Sequence, residues 1–158
     1  MAIKRYVASQ DNVITDAFKA NLTTRGTAGN MGASDILEVF SIHAQANTSS
    51  LERTRTLVQF PVHKILEDRN SGNIPASGSV NFFINLYNAP HSQTVPSAFD
   101  LAVAPVLASW EEGHGLDMEE YTNEEACNWI SSSLGTKWAS EGGDYHTSLS
   151  ASQEEYTY

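Results

Sequence analysis

The chain has little with which to cross-link itself and nothing with which to cross a bilayer. One cysteine, Cys127, in 158 residues excludes an internal disulfide framework and a cysteine-based zinc site. Its thiol is expected to be a buried small hydrophobe. No apolar run approaches the length of a transmembrane span, so no membrane is expected as a partner. The opening Met-Ala-Ile-Lys-Arg-Tyr has two basic residues but neither the apolar stretch nor the cleavage site of a secretory signal, which points to synthesis in a cytoplasm. Basic residues are also scarce after residue 70: eight of the nine Lys and Arg precede it, and the net charge is −10. That balance argues against nucleic acid as a partner. It could orient the domain against a charged neighbour, but an acidic face that keeps the protein soluble is the favoured reading. There is no Gly-x-Ser-x-Gly, no His-Glu-x-x-His, no P-loop and no dinucleotide fingerprint, so an enzyme has no positive support.

What is present is concentrated between Trp110 and Asp144. The stretch reads Trp110-Glu-Glu-Gly-His-Gly-Leu-Asp117, then Asn128-Trp129, Gly135-Thr-Lys-Trp138 and Glu141-Gly-Gly-Asp144. It contains all three tryptophans and seven carboxylates between Glu111 and Glu125, without a Lys or Arg among them. Glycine clusters bound it and favour tight turns. A disordered acidic segment is poor in aromatics, whereas a Trp contributes several kcal/mol only when its large apolar area is buried. The stretch is therefore expected to be an ordered loop, pinned to a core by its indoles with the carboxylates outside.

These residues resemble the tryptophan-rich loop of DNRLRE-type domains, jelly-roll β-sandwiches related to carbohydrate-binding modules. The whole chain is similar to virion structural proteins of marine tailed bacteriophages that carry this domain. Further matching pieces are Asp11-Asn-Val-Ile-Thr-Asp16, Leu22-Thr-Thr-Arg-Gly-Thr27, Asn30-Met-Gly-Ala-Ser-Asp-Ile-Leu-Glu-Val-Phe40, Arg55-Thr-Leu-Val-Gln-Phe-Pro61 and Asn88-Ala-Pro-His91. No piece is specific, but the combination is, and it spans nearly the full length. The resemblance implies a structural protein and carries no catalytic residue across. In the similar proteins further strands follow the Gly-Gly-Asp turn and close the sandwich, and here they are absent. Either the native protein is longer than 158 residues, the favoured reading, or another subunit completes an exposed edge.

The pattern along the chain agrees with an all-β, antiparallel jelly-roll sandwich with long loops and at most one short helix, in a single domain over residues 1–158. Residues 3–9 and 12–18 read as two short strands or one bent strand. Residues 21–33, rich in Gly, Thr and Asn, read as a long loop. A strand covered on two sides is expected over 35–44, a polar loop over 46–52, and a strand over 54–62 in which Val58 and Phe60 oppose Leu57 and Gln59. Val62, Ile65, Leu66 and Arg69 then fall at helical spacing, which predicts one short helical turn. Residues 79–88 form the cleanest alternation, with Val80, Phe82, Ile84 and Leu86 opposite Asn81, Phe83, Asn85 and Tyr87, and should be a central strand. A loop to Pro96, a strand over 99–107 and a last strand over 153–158 complete six to eight strands.

Candidate sites follow from residue type. Glu111, Glu112, Asp117, Glu119, Glu120, Glu124 and Glu125 could supply a glycosidase's two carboxylates or oxygen ligands for calcium. A solvated acidic loop is favoured over calcium, and calcium over catalysis. Asp35 and Glu38, with Asp11 and Asp16, are weaker calcium candidates than they are turn and edge residues. His43, His63, His91, His114 and His146 show no paired metal-ligand spacing, and His91 is expected to satisfy loop backbone groups. Trp110, Trp129 and Trp138, with Tyr87 and Tyr121 behind them, could stack on sugar rings, although anchoring the loop is favoured.

The expectation is thus a non-enzymatic virion protein made in the host bacterial cytoplasm: a decoration, collar or fibre component docked on the major shell protein or on neck or tail components. A homo-oligomer is compatible with this, and loops 21–33 and 109–144 are the expected contact surfaces. The alternative is a carbohydrate-binding module that adheres to a surface glycan, in which the indoles would be solvent-exposed.

Overall fold

The structure, a computed structural model, describes residues 3–76, 78–90, 92 and 100–146. Its regular elements are antiparallel strands and, among the described residues, one short α-helix, so the architecture is all-β. Strands β1 (Gln10–Thr15), β2 (Ser41–His43) and β3 (Leu51–Gln59) form a three-stranded sheet in the order β1-β3-β2. Helix α1 (Val62–Asn70) follows β3, and strands β4 (Ser131–Ser133) and β5 (Thr136–Lys137) make a small hairpin. No helix among the described residues is long and apolar enough to cross a membrane.

β3 is central, with Gln10 opposite Gln59 and Thr15 opposite Thr54 on one side, and Ser41 opposite Arg53 on the other. Because side chains alternate along a strand, Asn12, Ile14 and Asp16 share a face with Leu57, Arg55 and Arg53, their cross-strand neighbours. Ile14 and Leu57 on that face pack with Trp110, Cys127, Trp129 and Trp138 into one buried cluster, edged by Val106 and Ala108. The opposite face is also covered: Val13, Thr15, Glu52 and Thr54 are buried. Glu52 escapes the cost of a bare buried carboxylate by accepting the Phe18 N–H at 2.9 Å. The Gln45 amide, oriented to donate, adds bonds of 2.9 and 3.0 Å to its two oxygens.

One group on β3 is less well served. The Thr56 hydroxyl is buried without a hydrogen-bond partner among the described residues. Such a group costs roughly 1–3 kcal/mol, and valine replaces the hydroxyl by a methyl of nearly the same shape. Thr56→Val should therefore raise stability by about 1 kcal/mol, read as a higher urea midpoint at unchanged m-value. A fall in the midpoint would show that the hydroxyl has a partner in solution.

α1 starts straight after Pro61, whose ring tolerates a helix start. It ends where Gly72 turns at φ 77°, with the Asn73 and Ile74 N–H groups donating to the Asp68 carbonyl. The periodicity of Val62, Ile65, Leu66 and Arg69 thus yields a full nine-residue helix rather than one turn. None of its residues is fully buried, and it is tied to the N-terminal segment instead. Lys4 Nζ lies 2.8 Å from one Asp68 oxygen, and the Tyr6 hydroxyl donates to that same oxygen at 2.8 Å. Hydrogen bonds from Lys4, Asn73 and Tyr6 hold the Asp68 carboxyl at about 2, below its ordinary 3.8. A carboxylate whose pKa is lowered by folding stabilises above its unfolded value and loses that contribution as it protonates. The thermal midpoint of the wild type should therefore exceed that of Asp68→Asn at neutral pH, and the gap should close as pH falls from 3.8 to about 2. A gap that persists below that window would assign the effect to packing.

Several expected strands are absent. Residues 3–9 form none, and Ile3 and Val7 are exposed, because side-chain bonds to Asp68 and the Ser9–Gln59 backbone bond tether the segment without a ladder. Only Ser41–His43 of the expected 35–44 strand pairs, and β3 begins at Leu51 inside the expected loop. Residues 79–88, expected to be central, are neither strand nor helix, since no backbone group of 80–90 bonds to another described residue. Among the described residues of the expected 99–107 strand only Val106 makes a bridge, to Tyr145. The expected 153–158 strand and His91 lie outside the described residues.

Candidate functional site

The tryptophan-rich stretch is a folded-over loop laid on the inner face of the β1–β3 pair. Trp110, Trp129 and Trp138 are 9%, 2% and 5% exposed. The indole N–H of Trp138 donates to the Asn128 carbonyl at 2.8 Å, so its one polar group is also spent internally. The hairpin β4–β5, which sequence reading did not anticipate, turns through Gly135 at φ 74°, and Gly142 at φ 88° lets the chain pass close to Trp129.

Loop 21–33 is held against this stretch by buried asparagines. The Asn30 amide donates to the Glu112 and Cys127 carbonyls, each at 2.6 Å, and its oxygen accepts the Gly32 and Gly115 N–H groups at 3.0 and 3.1 Å. Asn12, on β1, donates to the same Cys127 carbonyl at 3.1 Å and accepts the Met31 N–H at 3.0 Å. Asn128 accepts the Ile130 and Ser131 N–H groups at 2.9 Å and fixes the hairpin. The backbones approach so closely that a Cβ on Gly115 would stand 2.0 Å from the Asn30 carbonyl oxygen. The two loops expected to be contact surfaces therefore spend their inner faces on each other. Leu22, Leu116 and Tyr121 remain exposed on the outside.

A recess of about 210 Å³ opens beside this lock, lined by Asp16, Arg25, Thr27, Arg53, Trp129 and Glu141. Asp16 accepts the Arg53 backbone N–H at 2.6 Å and an Arg53 guanidinium N–H at 2.9 Å. Arg25 donates to the Asp16 carbonyl and stacks 4.2 Å from the Phe18 ring centroid. The Arg53 and Arg55 guanidiniums lie 5.4 and 5.0 Å from the Trp129 centroid, and Arg55 also donates to the Gly142 carbonyl at 2.6 Å. The two cations that line the recess are thus paired or stacked, and both remain partly exposed.

The acidic stretch is dispersed in the same way. Glu112 accepts the Asp11 N–H at 2.7 Å, and burial followed by the nearby Glu112 charge pushes the Asp11 carboxyl up. One Asp117 oxygen accepts the N–H groups of Glu119, Glu120 and Tyr121 at 2.8, 2.9 and 2.9 Å. Those bonds, led by Tyr121, hold its carboxyl below the usual range. Glu119 accepts the Ala20 N–H, while Glu111, Asp35 and Glu38 are exposed. Among the described residues no three of His, Cys, Asp or Glu are grouped to hold a metal ion, so the calcium candidates are not brought together. Cys127 is fully buried, and burial pushes its thiol up to about 12, leaving it neutral and packed.

Comparison with known proteins finds nothing similar. No family model, no curated protein and no solved structure matches the chain. The likeness to DNRLRE-type virion proteins therefore rests on the residues quoted for it. The sugar-stacking alternative is weakened by geometry: a buried indole offers no face to a pyranose, and of its five candidates only Tyr87 and Tyr121 are exposed. The asparagines that hold the loops were missed by sequence reading. The signal was there in Gly29-Asn30-Met31-Gly32, where glycines flank one amide, but the sequence does not tell a buried amide from a turn residue.

Proposed function

We propose that this protein is a non-enzymatic structural component of a tailed-bacteriophage virion. In this reading it is a jelly-roll domain docked on the major shell protein or on neck or tail components, as a surface decoration, collar or fibre element. The observation that carries the proposal is the resemblance running from Asp11 to Asp144. The geometry supports a structural role in one respect: the aromatic and polar groups that would make a binding or catalytic site are used internally. The indoles are buried, Asn30 is saturated, and Arg53 and Arg55 brace Trp129. A shell or collar component works by holding its shape at many repeated sites, where weak contacts add up. It would be made in the host cytoplasm and retained on the particle.

Sedimentation of the native protein from its source lysate tests the reading, with protein stoichiometry measured across the gradient. Co-sedimentation with DNA-filled particles is the expected result, and the ratio to the major shell protein separates a shell decoration from a neck or tail part. Recovery only among small soluble species overturns it.

A further inference from the structure

The arginines of the recess beside the loop lock are not wholly consumed by holding it. Arg25 makes its hydrogen bonds, to the Asp16 and Leu51 carbonyls, through Nη1 alone. Arg53 reaches the Asp16 carboxylate through Nε and Nη2, at 3.3 and 2.9 Å. Among the described residues, Nε and Nη2 of Arg25 and Nη1 of Arg53 therefore have no acceptor, and the two side chains that line the recess are 37% and 45% exposed. Both guanidiniums are nevertheless fixed in position. Arg25 stacks on Phe18, Arg53 lies over Trp129, and the Asp16 carboxylate is 3.9 and 2.9 Å from them. Forks held in this way lose little side-chain entropy on taking a ligand.

Two such forks suit an oxyanion, since guanidinium N–H groups match the oxygens of a carboxylate, a sulfate or a phosphate. Thr27 adds a hydroxyl to the same lining. The recess, at about 210 Å³, is smaller than the pockets of roughly 300–1,000 Å³ that enclose a drug-sized ligand, so it takes a small ion. Glu141 decides which one. Its carboxylate lines the recess too, yet makes no ion pair with either arginine among the described residues, so it faces the space as an acceptor. Sulfate and carboxylate ions carry no O–H at neutral pH and are repelled by such a group. Inorganic phosphate keeps a P–OH hydrogen that can be donated to Glu141 while its other oxygens accept from the arginines.

We propose that this recess binds inorganic phosphate, with Arg25 and Arg53 donating to its charged oxygens and Glu141 accepting from its P–OH group. Asp16 acts through the two arginines and is a positioning residue. The assignment does not rest on the virion reading, because it concerns only groups of this chain.

Equilibrium dialysis of the full chain against labelled phosphate is the test, at constant ionic strength held with chloride, with sulfate and glucose 6-phosphate as competitors. At about pH 8 the ester, whose second pKa is about 6, has lost its P–OH hydrogen, so it probes the same charge without the donor. Phosphate should bind saturably, and sulfate and the ester more weakly by on the order of tenfold, the worth of one charge-assisted hydrogen bond. Glu141→Gln, on an exposed turn, removes the repulsion and offers an amide donor, and should bring sulfate level with phosphate. Arg25→Gln should weaken both ions by on the order of tenfold. A wild type without saturable phosphate binding overturns the proposal. So does a Glu141→Gln chain that keeps the wild-type preference for phosphate, or a wild type that holds the ester as tightly as the free ion.

Discussion

Replacing Asn30 by Ala should cost on the order of 4 kcal/mol, the loss of a large part of the stability of a domain this size. The side chain is fully buried and makes four hydrogen bonds, two as donor and two as acceptor. Truncation removes all four at once and leaves behind the buried Gly115 N–H and the carbonyls of Glu112 and Cys127. Each orphaned group costs roughly 1–3 kcal/mol. Asn12 still reaches the Cys127 carbonyl, and water entering the vacated space recovers part of the rest, which is why the estimate stays below the sum. Asn30→Asp should be comparably damaging for a different reason: two donors become a carboxylate facing two carbonyl oxygens. Urea unfolding followed by tryptophan fluorescence measures both. A loss under about 1 kcal/mol for Asn30→Ala would mean that the loops are not locked in solution.

The location of this lock explains what was and was not legible in the sequence. The tryptophan stretch was readable as an ordered anchor because burial of an indole follows from its area alone, whatever it packs on. β3 and α1 were readable because period and punctuation agree there: alternation up to Gln59, Pro61 at the switch, helical spacing after it, and Gly72 at the stop. The partners of the anchor were not. Asn30 and Gly115 are 85 residues apart, and nothing local distinguishes an amide that joins two loops from one that caps its own turn. Residues 79–88 show the opposite limit. Their alternation specifies a strand buried on two faces, yet Phe82, Phe83, Ile84, Leu86 and Tyr87 are exposed and no described residue bonds to the backbone of 80–90.

Trp129→Ala should cost about 3–5 kcal/mol. The ring is 2% exposed and sits between the inner face of the sheet and the Gly142 turn, with the Arg53 and Arg55 guanidiniums 5.4 and 5.0 Å from its centroid. Its removal loses the transfer free energy of the indole, opens a cavity that the close-packed loops are poorly able to fill, and ends two cation–π contacts worth about 0.5–1 kcal/mol each at partly exposed sites. Trp129→Phe keeps a ring under both guanidiniums and should lose less than half as much. Arg55→Ala should fall between the two, because it removes one stacking contact and the bond to the Gly142 carbonyl together. Urea midpoints for the three variants give the order. If Trp129→Ala unfolded at nearly the wild-type midpoint, the indole would be a spectator in the fold, available for a ligand, and the carbohydrate reading would regain the ground that burial takes from it. The expected order instead ties the most conspicuous aromatic residue of the chain to holding a loop on a sheet.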